Sequence, residues 1–174
     1  MLEALISSKT RVKLLLKFFL NPESSSYLRS LEGEFGESTN AIRLELNRFE
    51  GAGMLQSLKT GNRKIFKANV NHPLFNELRS LVLKHTGLDK IVEQVVMRLG
   101  DLKKVYLTGD LAEGRNSDII DLIFVGSPNS VYLHELIPKA ERKIGRRIRY
   151  LIYEEDEADV LPFPRMNYLL LWEK

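Results

Sequence analysis

The 174-residue sequence contains no cysteine. A chain without cysteine cannot form disulfides, thiolate metal sites or a cysteine nucleophile, and this composition fits a reducing cytoplasm. Histidine is scarce as well, with only His72, His85 and His134. None of them has a second histidine or an acidic residue at the spacing of metal ligands. We therefore expect all three to be structural or surface residues.

The sequence also lacks a long apolar run, an internal repeat and a low-complexity segment. Its start, MLEALISSKTRVKLLLKFFL, has an acidic residue at position 3 and charges spaced through the apolar residues. That pattern predicts neither a signal peptide nor a membrane span, so we expect a cytoplasmic location and no membrane partner. The length allows one ordinary domain or two small ones.

Charge is distributed unevenly along the chain. The net charge is +3, but residues 1–100 carry 15 Lys and Arg against 10 Asp and Glu, while residues 101–174 carry 11 against 13. The first hundred residues are therefore the better candidate for contact with a polyanion such as nucleic acid.

The first part of the chain predicts three helices followed by a hairpin. Apolar spacing gives a helix from Thr10 to Leu20 and a short one over residues 27–35, with caps offered by the serines at 24–26. A third helix begins at Ser38 or Thr39 and closes at the glycines 51 and 53; either Leu44 or Glu45 joins its buried stripe. The run MLQSLKTGNRKIFKANV then reads as two strands turning at residues 60–62.

This order of elements resembles the ArsR-like winged-helix transcriptional regulators. The resemblance covers roughly residues 5–85 and rests on SSKTRVKLLLKFFL, NAIRLELNRFEGAGML and GNRKIFKANVNHPLF. It implies double-stranded DNA as a partner and a homodimer formed through Val12–Phe19 and Leu74–Leu83. Ordinary packing within one chain is the alternative for those two segments, and winged helices can also bind protein.

A recognition helix enters the major groove with its first turns towards the bases. Asn40 could then pair with adenine and Arg43 with guanine, while the hairpin tip would meet the backbone or the minor groove. The candidate DNA contacts are Ser38, Thr39, Asn40, Arg43, Asn47, Lys59, Arg63 and Lys64. Alternatively, Ser38 or Thr39 only caps the helix and the tip charges are merely solvated.

The middle of the chain predicts two further helices. Asn71 is a plausible cap and Pro73 a first-turn residue of a helix whose apolar face holds Leu74, Leu78, Leu81 and Val82. The run LDKIVEQVVMRLG gives the next helix. The boundary between domains is expected near residues 86–88, which divides the chain into 1–87 and 88–174.

The second domain predicts a small mixed sheet with helices. Strands are expected at Lys104–Thr108, Ile119–Val125 and Ile148–Tyr153, with a short last strand in NYLLLWEK and a helix at HELIPKAERKIG. Strands that alternate with helices predict an α/β layer, so the fold class is α+β with two domains, the first a winged helix-turn-helix.

The stretch GDLAEGRNSDIIDLIFVG carries the second resemblance. It is similar to the minimal nucleotidyltransferases of the DNA polymerase β superfamily, in which a glycine turn binds a triphosphate and carboxylates hold two divalent metals. Gly109, Ala112 and Gly114 match that pattern, and Asp121 matches the second metal carboxylate. Asp110 and Glu113 stand where the family has Ser and Arg, so acidic groups replace phosphate-binding ones.

The remaining metal ligands depart further from the family. Ile119 stands where the first carboxylate is expected, and Asp118 is displaced by one residue unless a bulge at Ile119–Ile120 turns it back. The third position falls on Arg149, or alternatively on Arg147, and a cation there would pair with Asp121. Only Asp118 and Asp121 remain as degenerate catalytic or metal candidates, and Gly109 and Asp110 as nucleotide-binding ones. Alternatively, Asp110, Asp118 and Asp121 only cap turns and pair with Arg115 or Arg149, which is the interpretation we favour. The resemblance implies a nucleotidyltransferase-like α/β domain behind the winged helix-turn-helix.

These departures favour a DNA-binding regulator whose second domain is an inactive sensor or interaction domain. We expect no cofactor, with a protein partner or nucleotide effector at the second domain. The alternative is an active Mg-dependent nucleotidyltransferase to which the winged helix recruits the substrate. A third hypothesis is an antitoxin-like interaction protein.

Overall fold

The structure, a computed structural model, describes residues 2–157 and 167–174. The chain separates into two compact units, residues 1–85 and 86–174, so the division falls two residues before the expected boundary. Each unit has its own sheet, one of three strands and one of four, which gives a mixed α+β protein. In the described residues no helix is long and apolar enough to cross a membrane.

The first helices of unit 1 follow the predicted apolar spacing. After the short helix α1 (Leu2–Leu5), helix α2 (Lys9–Leu15) begins at Ser8, whose hydroxyl accepts from the Arg11 N–H at 3.2 Å. It continues as one π-helical turn, Leu16–Leu20. The predicted helix is therefore present, and its second half is wider than an α-helix.

The serines at positions 24–26 do not cap a helix, so that expectation is wrong. Residues Ser25–Tyr27 form strand β1, and helix α3 (Leu28–Phe35) begins after Tyr27 with no side-chain cap. Strand β1 pairs with a strand about forty residues further along the chain. That strand satisfies the backbone N–H and C=O groups of β1, and no local sequence pattern indicates this pairing. Helix α3 ends at Gly36, as predicted, in a left-handed conformation.

Helix α4 (Thr39–Gly51) begins at Ser38, whose hydroxyl accepts from the Ala41 N–H. Its buried stripe includes Glu45, which is 5% exposed, whereas Leu44 is 53% exposed. Glu45 is stabilised there by two hydrogen bonds from Arg11, at 2.9 and 3.1 Å, and one from Arg48 at 3.0 Å. Burial raises the pKa of Glu45, but the hydrogen bonds and charges of its partners outweigh it, leaving that pKa below its usual value.

The Glu45 charge is expected to stabilise unit 1 in a pH-dependent way. Glu45→Gln should lower the free energy of unfolding by about 1–3 kcal/mol at pH 7, because the arginine hydrogen bonds lose their charged acceptor. The folded-state pKa is depressed, so the wild-type advantage is present above the unfolded-state pKa and is lost as pH falls through the folded-state value. Urea unfolding at a series of pH values down to about 4 measures it.

Glu32→Gln is the matched control, because Glu32 is an exposed glutamate of the neighbouring helix α3. It should leave the unfolding free energy nearly unchanged. A Glu45→Gln loss that stays the same at every pH would show that shape, not charge, is what position 45 contributes.

The predicted hairpin is present as strands β2 (Leu55–Thr60) and β3 (Arg63–Ala68). It turns at Gly61, whose φ of 58° requires a residue that tolerates the left-handed region. The sheet order is β1-β3-β2, all antiparallel, so β3 lies between the hairpin partner and the strand that leads into α3.

Helix α5 (Phe75–Thr86) starts later than expected. Asn71 and Pro73 lie in a turn before it, in which the His72 N–H donates to the Asn69 carbonyl and the Phe75 N–H to the His72 carbonyl. The Asn69 side chain also accepts from the Asn71 N–H at 3.2 Å. The predicted cap is wrong because Asn69 closes a turn first, and the chain enters the helix only after that turn.

The two segments expected in a dimer contact differ in exposure. Every residue from Leu14 to Leu20 is buried, and Phe19 packs on Phe49 and Phe75 with ring centroids 6.4 and 5.8 Å apart. The first segment thus follows the alternative of packing within one chain. In the second segment, Leu74, just before α5, is 50% exposed, and Leu81 on α5 is 40% exposed. A homodimer contact, which stays a prediction, would use this helix.

Unit 2 is a four-stranded mixed sheet with helices. Its elements are helix α6 (Leu88–Gln94), a 3-10 turn (Val96–Arg98), strand β4 (Leu102–Thr108), helix α7 (Gly109–Ala112), strand β5 (Ile119–Gly126), helix α8 (Ser130–Ile144), strand β6 (Arg147–Tyr153) and strand β7 (Leu169–Glu173). The strand order is β6-β5-β4-β7. Helix α8 connects the parallel strands β5 and β6, and β4 is antiparallel to both its neighbours. The four predicted strands are confirmed.

Candidate functional site

The turn after β4 brings a glycine against an acidic side chain. Gly109 has a φ of 69° and opens the single-turn helix α7. An added Cβ at Gly109 would lie 2.6 Å from Oδ2 of Asp121, which extends from the neighbouring strand β5. Thr108 and Asp121 are register partners across β4 and β5. Glycine is therefore required at position 109 both for its backbone angle and for the close approach of Asp121.

Asp121 forms a two-point ion pair with Arg149. Arg149 Nε lies 2.7 Å from Asp121 Oδ1, and Nη2 lies 3.0 Å from Oδ2. The two residues are direct register partners on the parallel strands β5 and β6, as the sequence predicted from their positions. The hydrogen bond to Asp121, and then its charge, raise the pKa of Arg149. The pair is bidentate, with two guanidinium N–H groups donating to the two carboxylate oxygens.

The side chain of Asp118 does not lie beside that of Asp121. Strand β5, all of which lies in the described residues, keeps an unbroken register against β6 from Ile119 to Val125. The bulge at Ile119–Ile120 that could have turned Asp118 towards Asp121 is therefore not there, and that suggestion is wrong. Asp118 lies before the strand and is exposed, and its carbonyl accepts from the Arg147 N–H at 2.9 Å.

The acidic residues at the glycine turn are neutralised locally. Arg115 donates to Asp110 Oδ1 from Nη2 at 2.5 Å and from Nε at 3.1 Å, and it also forms an ion pair with Glu113. The hydrogen bond with Asp110 raises the pKa of Arg115, burial lowers it, and the bond with Glu113 raises it further. The sequence predicted the Asp110 pair; the position of Glu113 in the same cluster is a finding of the structure.

The arrangement does not fit a two-metal centre. Within residues 2–157 and 167–174, no group of three or more His, Asp or Glu residues could hold a metal ion. The carboxylate of Asp121 already has a cation on both oxygens. A divalent ion would have to displace Arg149 and would then find one carboxylate where such centres use several.

A cavity of about 550 Å³ lies beside the Asp121–Arg149 pair. Thr108 and Gly109 line one part of it, and the rest is apolar and aromatic: Leu122, Ile123, Tyr150, Leu151 and Tyr153. Its volume suits a small ligand, with the ion pair as its charged feature. The sequence pattern did not reveal this lining, because β5 and β6 are parallel neighbours joined by a long crossover.

In unit 1, most of the eight predicted DNA contacts are exposed. Ser38, Asn40, Arg43, Asn47, Lys59, Arg63 and Lys64 are exposed and Thr39 is half-buried. Ser38 uses its hydroxyl to cap α4, as its alternative interpretation had it. Asn40, Arg43 and Asn47 lie on the face of α4 opposite Ile42, Leu46 and Phe49, which are buried.

A cleft of about 720 Å³ joins α4 to the hairpin and to the start of α3. Its lining is Tyr27, Leu28, Arg29, Arg43, Leu46, Asn47, Asn62, Arg63, Lys64 and Phe66. The Arg63 guanidinium lies 4.8 Å from the centroid of the Tyr27 ring. We call this lining the unit 1 cleft. Sequence reasoning missed Tyr27 and Arg29, because only the pairing of β1 with β3 brings them to the hairpin. Asn62, in the hairpin turn, was expected only as a turn residue.

The cations of the unit 1 cleft differ in how they are compensated. Lys64 pairs with Glu50 at 2.6 Å, and hydrogen bonds from Lys64 and Ser57 lower the pKa of Glu50. Arg29 and Arg43 have no ion-pair partner among the residues that the structure describes. The cleft therefore presents positive charge that the described residues do not neutralise.

Comparison with known proteins adds little to this geometry. No family model matches the chain, and no curated protein does. Among solved structures, the chain is similar to one described as a "putative nucleotidyltransferase from Sulfolobus solfataricus", with 24% identity over 56% of this chain and 86% of that chain. The TM-score of 0.37 is too low to carry an argument about function. Function must therefore be inferred from the residues themselves.

Proposed function

We propose that unit 1 is a winged helix that binds double-stranded DNA, and that the chain is a transcriptional regulator. The observation that carries this proposal is the unit 1 cleft, in which Arg29 and Arg43 lie without a carboxylate partner among the described residues. A cluster of uncompensated cations beside an exposed helix face is the electrostatic pattern of nucleic-acid binding.

Helix α4 supplies the proposed base contacts. Its first turns carry Asn40 and Arg43 in solvent, while its opposite face is fixed in the core by Ile42 and Leu46. Asparagine and arginine are the side chains that read adenine and guanine through two hydrogen bonds in the major groove. The buried face holds α4 rigidly, so these two side chains would enter the groove with little loss of backbone freedom.

The hairpin and the start of α3 supply the proposed backbone contacts. Arg63 is ordered against Tyr27 before any ligand arrives, which reduces the entropy lost on binding. Lys64 would first have to leave Glu50, so we expect Arg63 to contribute more to affinity than Lys64. Arg29 adds a phosphate contact that the sequence alone did not suggest.

For unit 2 we propose a sensor or interaction role without nucleotidyl transfer. The supporting observations are the two-point pair of Arg149 with Asp121 and the exposed position of Asp118 outside β5. The competing hypothesis of a Mg-dependent transferase needs these carboxylates to converge on an ion. The cavity beside the pair is where a small effector would bind under our proposal.

The DNA hypothesis is tested by fluorescence anisotropy with labelled duplexes. One duplex comes from upstream of the protein's own gene and one has a scrambled sequence, each at about 50 and 200 mM salt. The full chain should bind the duplexes, and its affinity for them should fall as the salt concentration rises. Arg43→Ala should weaken binding to the first duplex by about 1–3 kcal/mol, because one bidentate base contact is lost.

Lys67→Ala is the control for a lost charge. Lys67 lies on β3 in the same unit, pairs with Glu23 at 2.9 Å and does not line the unit 1 cleft. It should change the affinity little. No binding to either duplex at the lower salt concentration would refute the DNA hypothesis. Binding whose affinity is unchanged by Arg43→Ala would refute base reading by α4.

A further inference from the structure

A second positively charged cleft lies in unit 2, away from the Asp121–Arg149 pair. It has a volume of about 350 Å³. Arg98 comes from the 3-10 turn after α6, and Lys139, Arg142 and Lys143 come from α8. The rest of the lining is Gln94, Leu136 and Ala140, with no carboxylate. We call this the α8 cleft.

The four cations of the α8 cleft are not compensated by any carboxylate of the described residues. Among the described residues none of them has an ion-pair partner. Four other cations of unit 2, Lys104, Arg115, Arg147 and Arg149, each lie within 3.6 Å of a carboxylate oxygen. Four like charges around one concavity repel each other, and they are most readily offset by a bound anion.

The helix dipole explains only part of this cluster. Arg142 and Lys143 lie in the last turn of α8, where cations interact favourably with the negative end of the helix. Lys139 lies one turn earlier, beyond the reach of that effect, and Arg98 is not on α8 at all. The dipole therefore does not account for the convergence of the four side chains.

We propose that the α8 cleft binds a ligand with adjacent phosphate groups. Arginine and lysine donate to phosphate oxygens without presenting an acceptor that would repel them, and Gln94 adds an amide donor. The volume lies at the lower end of small-ligand sites, which fits a di- or triphosphate group. The same chemistry could come from a free polyphosphate or nucleotide, or from the backbone of a nucleic acid.

This inference does not depend on the unit 1 cleft, since none of its residues contributes. A double variant, Lys139→Ala with Arg142→Ala, removes two of the four cations. Both residues are exposed, so the substitution leaves the core intact. The variant loses repulsion between cations but also the favourable position of Arg142 at the end of α8, so we expect its thermal unfolding temperature without anion to change little. A structural role in the core for these side chains predicts a clear loss.

The first arm is a calorimetric titration of the full chain with inorganic tripolyphosphate at low salt. We expect binding by the wild type and a loss of at least about tenfold in the double variant. The matched control, Lys9→Ala with Lys84→Ala, removes two exposed lysines of unit 1 that line neither cleft. It should bind tripolyphosphate as the wild type does.

The second arm measures the salt dependence of binding to a scrambled duplex. If the source of phosphate is nucleic acid, the negative slope of log K against log salt should become less steep in the double variant. Its magnitude should decrease by about 2, one for each lost phosphate contact. Tripolyphosphate binding with an unchanged slope identifies a free anion as the ligand. If the double variant alters neither measurement, the α8 cleft is not an anion site. Arg43→Ala tests the unit 1 cleft separately, so the two proposals fail independently.

Discussion

Gly126→Ala is expected to destabilise unit 2 by about 2–4 kcal/mol. Gly126 ends strand β5 with a φ of 128°, and an added Cβ would lie 2.6 Å from the Asp101 carbonyl oxygen and 3.1 Å from the Leu102 Cα. These are backbone atoms that cannot rotate away. The Asp101 carbonyl is also held in place, because it accepts from the Ser127 N–H at 2.9 Å. The free-energy cost of the strained φ angle and the cost of the steric overlap therefore add.

Gly145→Ala separates the two contributions. Gly145 follows α8 with a φ of 74°, but an added Cβ there would meet nothing within 4 Å. This control should cost only the conformational term, about 1–2 kcal/mol. The single tryptophan, Trp172 on β7, makes fluorescence during urea unfolding a report on unit 2. Equal losses in the two variants would mean that the chain relieves the contact at Asp101 without cost.

Arg149→Asp is expected to turn the Asp121–Arg149 pair into a binding site for a divalent cation. The substitution places two carboxylates at directly paired positions on β5 and β6, in place of a carboxylate and a guanidinium. Two adjacent carboxylates repel each other unless a cation lies between them. Without metal the variant should be less stable than the wild type, and with Mn²⁺ it should recover. Its affinity for Mn²⁺ should exceed that of the wild type at least about tenfold.

Arg142→Asp is the control for that experiment. It makes the same charge change in the same unit, but Arg142 lines a cleft that contains no carboxylate, so the new aspartate has no acidic neighbour there. Thermal unfolding with and without Mn²⁺, followed by calorimetric titration, distinguishes the variants. If Mn²⁺ stabilises both to the same extent, or neither, then Arg149 is not what excludes a cation from Asp121.

Much of the fold follows from local patterns in the sequence. The strands of unit 2 are apolar runs bounded by glycines or charges, and the hairpin is marked by Gly61 at its turn. The pairing of Asp121 with Arg149 was predicted from their places in a resemblance, which aligned two neighbouring strands. Within one element, or where a resemblance supplies the register, sequence alone was mostly sufficient; the start of α5 is the exception, because the turn at Asn69 delays it.

The other errors and omissions arise from contacts between distant parts of the chain. The serines before α3 were expected to cap a helix, but they pair with β3, forty residues away in the chain. Arg29 joins Arg63, and Arg98 joins Lys139, only because the tertiary fold brings distant segments together. Local secondary-structure propensity does not predict such long-range pairings. Clusters of cations from separate elements are therefore the part of a candidate site that a single sequence hides.

The position of β7 has a consequence for synthesis of the protein. Strand β4 pairs with β5 on one side and with β7 on the other, yet β7 is made last of the four strands. While the ribosome is still translating the intervening segment, β4 of the nascent chain has an unpaired edge. Such an edge can recruit strands from other chains. Ribosomes that stall before Leu169 would therefore release products prone to aggregate, although unit 1 of the same products is already complete.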